Sequence, residues 1–136
     1  MPTTIEGHIE AALFARVASF LASPVLPVAW PNKSYEGYRF LRVSHHPNRN
    51  NRLFLSGADP HQRVGFLMLS VFTPLDKGAT TATELAGAVA AHFPADLELT
   101  SGPVTVQISV APDLATALAE TAHWHVPVTV RYECFA

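Results

Sequence analysis

The run Val64-Gly65-Phe66-Leu67-Met68-Leu69-Ser70-Val71-Phe72 is apolar at both odd and even positions. Alternate side chains of a strand point to opposite faces, so this run has two faces to bury. It therefore sits centrally in a sheet, or its second face is covered by another subunit. Few other segments have that freedom, because eleven prolines in 136 residues exceed the usual share of about 5%. Proline removes a backbone donor and fixes φ, so the chain should be built of strands and loops with few long helices.

Two segments read as helices. Thr3 and Glu6 have capping-box spacing, and Ile9, Leu13, Val17, Phe20 and Leu21 form a stripe behind them. This predicts a helix over Thr3–Leu21, stopped by Ser23-Pro24. Thr81 and Glu84 repeat the box ahead of Leu85, Val89 and Phe93, which predicts a second helix over about Thr81–His92. Between the helices, residues 24–32 carry three prolines and read as an extended edge arm anchored by Trp30. Tyr38–Val43 reads as a strand, Ser44–Asn51 as an exposed loop without apolar residues, and Arg52–Leu55 as a second strand. Gly57-Ala58-Asp59-Pro60 is turn chemistry, which makes a hairpin with Gln62–Phe72 that projects from the body.

Later, Val104, Val106, Ile108 and Val110 alternate with polar residues, and residues 111–121 are ambiguous between loop and short helix. Trp124, Val126, Val128, Val130, Tyr132 and Cys134 form the apolar face of a last strand, which Pro127 marks as an edge strand or a bulged one. The expected fold is α+β in one domain over residues 1–136: a mainly antiparallel sheet of about four strands, two helices packed on one face, and the projecting hairpin. Ile9, Leu13, Val17, Leu85, Val89, Val106, Ile108, Val128 and Val130 should be core.

Charge is scarce and segregated. Charged residues are 15% of the chain, against a usual ~25%, which excludes a disordered or coiled-coil chain and suits a subunit whose surface is partly hidden in a partner. The net charge is −2, so bulk electrostatics do not make it a nucleic-acid binder. Lys33, Arg39, Arg42, Arg49, Arg52 and Arg63, opposed by Glu36 and Asp59, give residues 33–63 a charge of +4, and the remainder carries −6. No stretch approaches the ~18 apolar residues of a membrane helix, and no signal-peptide pattern opens the chain. It reads as soluble and intracellular when made.

Catalytic chemistry finds little support. His45, His46, His61, His123 and His125 are candidate metal ligands, and His123 and His125 share one strand face. They have no third ligand at a defined spacing, and Glu120 and Glu133 nearby belong to no motif. Cys134, the single cysteine, excludes an internal disulfide and reads as a buried, inert thiol. Asp96 and Glu98 are a carboxylate pair without context. Ser56-Gly57 and Ser101-Gly102 are turns, and neither a P-loop nor a dinucleotide-binding glycine motif occurs. The expectation is no enzyme activity, no cofactor and no metal.

Several segments carry a family resemblance: Pro27-Val28-Ala29-Trp30-Pro31-Asn32 after a helix, then Tyr38-Arg39-Phe40-Leu41-Arg42-Val43, then Arg63 through Pro74 followed by Lys77-Gly78 and a helix ending in Phe93-Pro94. The closing Trp124-His125-Val126-Pro127-Val128-Thr129-Val130-Arg131-Tyr132 completes it. Over about residues 9–134 the chain resembles the tail-terminator-like proteins of long-tailed phages; the Ser44–Asn51 stretch has no counterpart in that pattern. The resemblance implies a structural virion protein of the tail, made in the host cytoplasm. It implies a hexameric ring that caps the tail tube, stops its polymerisation and presents a head-joining surface. The implied partners are further copies of itself, the tail tube protein and the head–tail connector protein, with non-specific contact to DNA in the lumen. Another ring component of the particle, a connector or a tube subunit, is the alternative; a small His-rich metal-binding protein is a more distant one. Arg49, Arg52 and Arg63, with the turn residues Ala58, Asp59 and Pro60, are the residues expected at a ring or lumen surface.

Overall fold

A computed structural model describes residues 2–20, 26–32, 39–74, 80–119 and 123–136. Leu21, Ser23-Pro24, Lys33, Glu36, Tyr38, Lys77-Gly78 and Glu120 lie outside these residues. Helix α1 spans Ile5–Ala18 and helix α2 spans Thr80–Ala91. The strands are β1 (Val28–Ala29), β2 (Phe40–Arg52), β3 (His61–Pro74), β4 (Glu98–Ser101), β5 (Val104–Ile108), β6 (Asp113–Leu114), β7 (Leu118–Ala119) and β8 (His123–Phe135).

The expectation of an α+β fold with about four strands is corrected. The structure is mostly β, 47% strand against 22% helix, and the eight strands among the described residues form one curled half-barrel sheet. The order is β1-β2-β3-β8-β5-β4, with β6 and β7 both paired to β8. Among the described residues all pairings are antiparallel except β1 with β2. Three strands of 13 or 14 residues dominate. A sheet that long must twist, and it curls around the helices that fill its concave face.

The extra strand content has local causes. Ser44–Asn51, expected as a loop, continues β2: its polar residues pair with β3 from Ser44↔Met68 to Asn51↔Gln62, with a bulge between Pro47 and Arg49. Backbone pairing to an apolar neighbour needs no apolar side chains of its own, and an edge strand with a proline and a bulge is a common solution. The ambiguous stretch 111–121 contributes β6 and β7. β8 lies in the interior of the sheet, between β3 and β5, contrary to the edge position that Pro127 suggested. The Pro127 carbonyl accepts from Ala115 N at 2.9 Å, so its missing N–H falls on the side where pairing is interrupted between β6 and β7. The break in that neighbour accommodates the proline.

As expected, β3 is central. Arg52–Leu55 does not form a separate strand, because β2 ends at Arg52 and residues 53–60 are the loop of the β2–β3 hairpin. β8 accompanies this hairpin as far as Gln62↔Phe135, so only the loop extends past the sheet.

The nine expected core residues are all buried. They join Leu41, Val43, Leu67, Leu69, Val71 and Phe93 in one cluster between the helices and the concave face. Val110 departs from the expected alternation: β5 ends at Ile108 and Val110 is exposed. The first cap is one residue later than the sequence pattern suggests. Thr4 is the N-cap and its hydroxyl accepts from Gly7 N at 3.0 Å, which releases Glu6 for another role. Thr81 lies inside α2, so its spacing to Glu84 is not a capping box. The C-terminal turns of the two helices are tied together: Arg16 Nε donates to His92 O and His92 Nε2 donates to Arg16 O, both at 2.9 Å.

On the convex face, Phe40 stacks on Phe72 and Phe72 on His125, with centroids 4.7 and 4.5 Å apart. The Arg42 guanidinium lies 5.5 Å from both phenylalanine centroids. No helix among the described residues is long and apolar enough to cross a membrane.

Candidate functional site

The bulged half of β2, the start of β3 and the first turns of α1 enclose a cavity of about 240 Å³. Ile9, Pro47 and Val64 supply apolar wall, and Glu6, His45, Asn48, Arg49, Asn50, Arg63 and Tyr132 supply polar groups. The bulge between Pro47 and Arg49 leaves Asn48 out of the ladder.

One wall is a relay that runs from the buried Tyr132 to the exposed Glu10. His45 Nε2 lies 2.7 Å from the Tyr132 hydroxyl, and His45 Nδ1 lies 3.3 Å from Glu10 Oε1. The Glu10 carboxylate can only accept, so Nδ1 donates to it, and in the neutral ring Nε2 then accepts from the Tyr132 O–H. Burial pushes the Tyr132 pKa up to about 12, with smaller contributions from Cys134 and Glu10, so the hydroxyl keeps that proton. Gly65 makes this reach possible. A Cβ there would lie 2.6 Å from the Tyr132 hydroxyl and 2.7 Å from His46 O.

The three arginines singled out by sequence have separate fates. Arg49 and Arg63 meet at this cavity. Arg63 is already engaged within the chain: it donates to Glu6 Oε1 at 2.7 Å and to Ala136 O at 3.3 Å. Arg49 is exposed and makes no hydrogen bond or ion pair among the described residues. Arg52 folds back on the hairpin loop, donating to Phe54 O at 3.0 Å and to Leu55 O. Ala58, Asp59 and Pro60 line a second cavity of about 320 Å³, together with Ile5, His61, Arg63 and Ala136. Arg63 thus stands between the two cavities.

The histidines scatter. His46 stacks on Phe66 at 4.7 Å, His125 on Phe72, and His123 meets Phe40 and Phe72 edge-on. His61 Nε2 reaches Gly57 O at 3.3 Å. Among the described residues, no three metal-ligating side chains converge. Cys134 is buried, and that burial raises its thiol pKa.

Sequence reasoning missed three features. The Glu10–His45–Tyr132 relay joins residues far apart in sequence, with no motif to reveal them. Leu53, Phe54 and Leu55 form an apolar loop tip, 46%, 54% and 98% exposed; their position between a strand and a turn was the available signal. An apolar groove of about 550 Å³ runs along Ala11, Phe14, Ala15 and Ala18 to Trp30 and Pro31. Phe14 and Trp30 pack there with centroids 5.3 Å apart.

No curated protein matches the chain. A solved structure superimposes with a TM-score of 0.77 at 25% identity, over 93% of this chain and 92% of that one. A chain from the virion of a native gene transfer agent particle superimposes with a TM-score of 0.68 at 12% identity, over 99% of this chain and 100% of that one; at that identity the likeness concerns the fold. The sequence model of the family described as phage tail terminator protein matches residues 8–132. That match takes in both helices' apolar stripes, the β2–β3 hairpin and most of β8, and the chain belongs to the phage tail terminator family of structural tail proteins.

Proposed function

We propose that the protein assembles as a closed ring on the end of the finished tail tube, stops further polymerisation of the tube and presents the surface to which the head connector joins. Family membership supports the tail assignment. The observation that carries the capping role is the hairpin loop. Leu55 is 98% exposed and Phe54 and Leu53 about half so, yet Arg52 fixes the loop by binding its carbonyls. An ordered apolar tip has no use in an isolated subunit and suits burial in a protein partner.

The segregation of charge suits contacts between copies: a +4 segment and a −6 remainder complement each other head to tail, and head-to-tail contacts close into a ring when the rotation allows. Six copies is the count that the resemblance implies. The partners in this reading are further copies of the chain, the tail tube protein and the head–tail connector protein, with DNA passing through the lumen. Arg49, Arg52, Arg63 and the Ala58–Pro60 turn belong to the assembled surface.

Light scattering on the purified protein tests the ring. A single species of about six subunit masses is expected, at all concentrations above its dissociation point. Open-ended growth would instead identify a tube subunit, and a monomer at every concentration would remove the ring.

A further inference from the structure

We infer that the cavity between α1 and the bulged half of β2 is a socket for a carboxylate side chain presented by a second copy of the chain. The inference rests on the ring reading and names one of its contacts.

The cavity's chemistry selects the ligand. Arg49 brings a guanidinium with no partner among the described residues, and Asn48 and Asn50 bring side-chain amides. Arg63 adds a second guanidinium, held in place by Glu6 and by the Ala136 carbonyl. The relay fixes His45 and Tyr132 on each other, so neither competes for Arg49. Donors exceed acceptors, and the excess calls for an anion. Arg presents a planar fork that fits a carboxylate with two hydrogen bonds.

A cavity of about 240 Å³ with Ile9, Pro47 and Val64 in its wall admits a side chain with an aliphatic stem and a charged end. DNA fits it poorly. A nucleic-acid strand brings one charge per ~3.4 Å of its length, and the Glu6 carboxylate on the wall repels the charges that follow the first.

The chain itself supplies the donor. Beyond the basic segment it carries a charge of −6, and most of its described carboxylates are engaged internally. Glu10 meets His45, Asp113 meets Arg131, Glu133 accepts from Gln62 and Asp96 from Gln107. Glu84 on α2 and Glu98 on β4 are exposed and make no hydrogen bond or ion pair among the described residues. β4 is the terminal strand at the opposite end of the sheet from the bulged part of β2, as a head-to-tail contact requires.

Two measurements test this. First, glutarate is titrated into the protein held below its association concentration, with NMR signals as the readout. Shifts confined to Asn48, Arg49, Asn50, His45 and Tyr132, with at least five-fold weaker binding in Arg49→Gln and partial retention in Arg49→Lys, support the socket. No shift at these residues, or preferential binding of a short DNA strand at matched ionic strength, overturns it. Second, sedimentation measures subunit association. Arg49→Gln should weaken it on the order of ten-fold with an unchanged melting midpoint, because Arg49 supports nothing inside the chain. Glu84→Gln or Glu98→Gln should match it, and the double variant with Arg49→Gln should show no further loss. Association unchanged by Arg49→Gln overturns the second-copy assignment. A parent protein that never associates sinks the ring reading instead, and the glutarate titration then still decides the socket.

Discussion

The Tyr132 hydroxyl crosses the backbone of Gly65 to reach His45 Nε2, 2.7 Å away. Tyr132 stands opposite Gly65 in the β3–β8 pairing, and Gly65 stands opposite Pro47 in the β2–β3 pairing. One glycine therefore lets three strands share a polar contact at the edge of the core, beside the cavity that holds Arg49. A side chain at position 65 would collide with a backbone carbonyl as well as with the tyrosine.

Gly65→Ala should therefore destabilise the fold by about 1–3 kcal/mol, the usual range for overpacking. Tyr132→Phe, which removes only the hydrogen bond, should cost about 1 kcal/mol. Urea unfolding of the two variants checks the ranking; a neutral Gly65→Ala would mean that Tyr132 does not lie over the glycine.

Tyr132 also sets a limit at high pH. Its folded pKa is raised by burial, to about 12, above the unfolded value of about 10. The stabilisation is fully present below pH ~10 and is lost as pH rises through the folded value. Denaturation followed from neutral to alkaline pH should show this decline in the parent and a smaller one in Tyr132→Phe.

His92 acts in the opposite direction. Burial is the main cause of its lowered pKa; the hydrogen bond to the Arg16 carbonyl opposes the shift, and the Arg16 charge adds a smaller lowering. The unfolded chain then binds the proton more readily. Stability is full above the unfolded value of about 6.5 and falls as pH drops through the folded one. His92→Gln keeps a donor for Arg16 O and cannot titrate. The difference in unfolding free energy between parent and variant should shrink or reverse below pH ~6.5. A pH-independent difference would mean that the fold leaves the His92 pKa unshifted, and a difference that grows as pH falls would mean that the fold favours its charged form.

Val89 is 1% exposed in the cluster between α2 and the sheet. Val89→Ala should cost about 1–3 kcal/mol in chemical denaturation. Leu55→Ser should leave unfolding unchanged within ~0.5 kcal/mol, because Leu55 touches little in the subunit, and should impair tail capping. Equal effects of the two changes on stability would contradict the burial of one and the exposure of the other.

Legibility in the sequence followed periodicity. The stripes at Ile9-Leu13-Val17 and Leu85-Val89, and the alternations through Val106-Ile108 and Val128-Val130, identified the inward faces correctly. The strand count was hidden because β6 and β7 are two residues each and the Ser44–Asn51 part of β2 has no apolar alternation. Such segments are strands only because β8 and β3 offer them a ladder, and that information is not local. At the candidate site, the basic residues were visible as composition. Which of them are already engaged was not, since Arg63 depends on Glu6 and Ala136, 57 and 73 residues away.

The capping claim is tested most directly by the growth of tail tubes from purified tube protein in the presence of this chain. The account predicts that growth stops at an amount equal to one ring per tube end, far below one subunit per tube subunit. It also predicts that removing Ala58–Pro60 from the hairpin loop relieves the arrest. Tubes that elongate at the same rate and to the same length with and without the protein would contradict it.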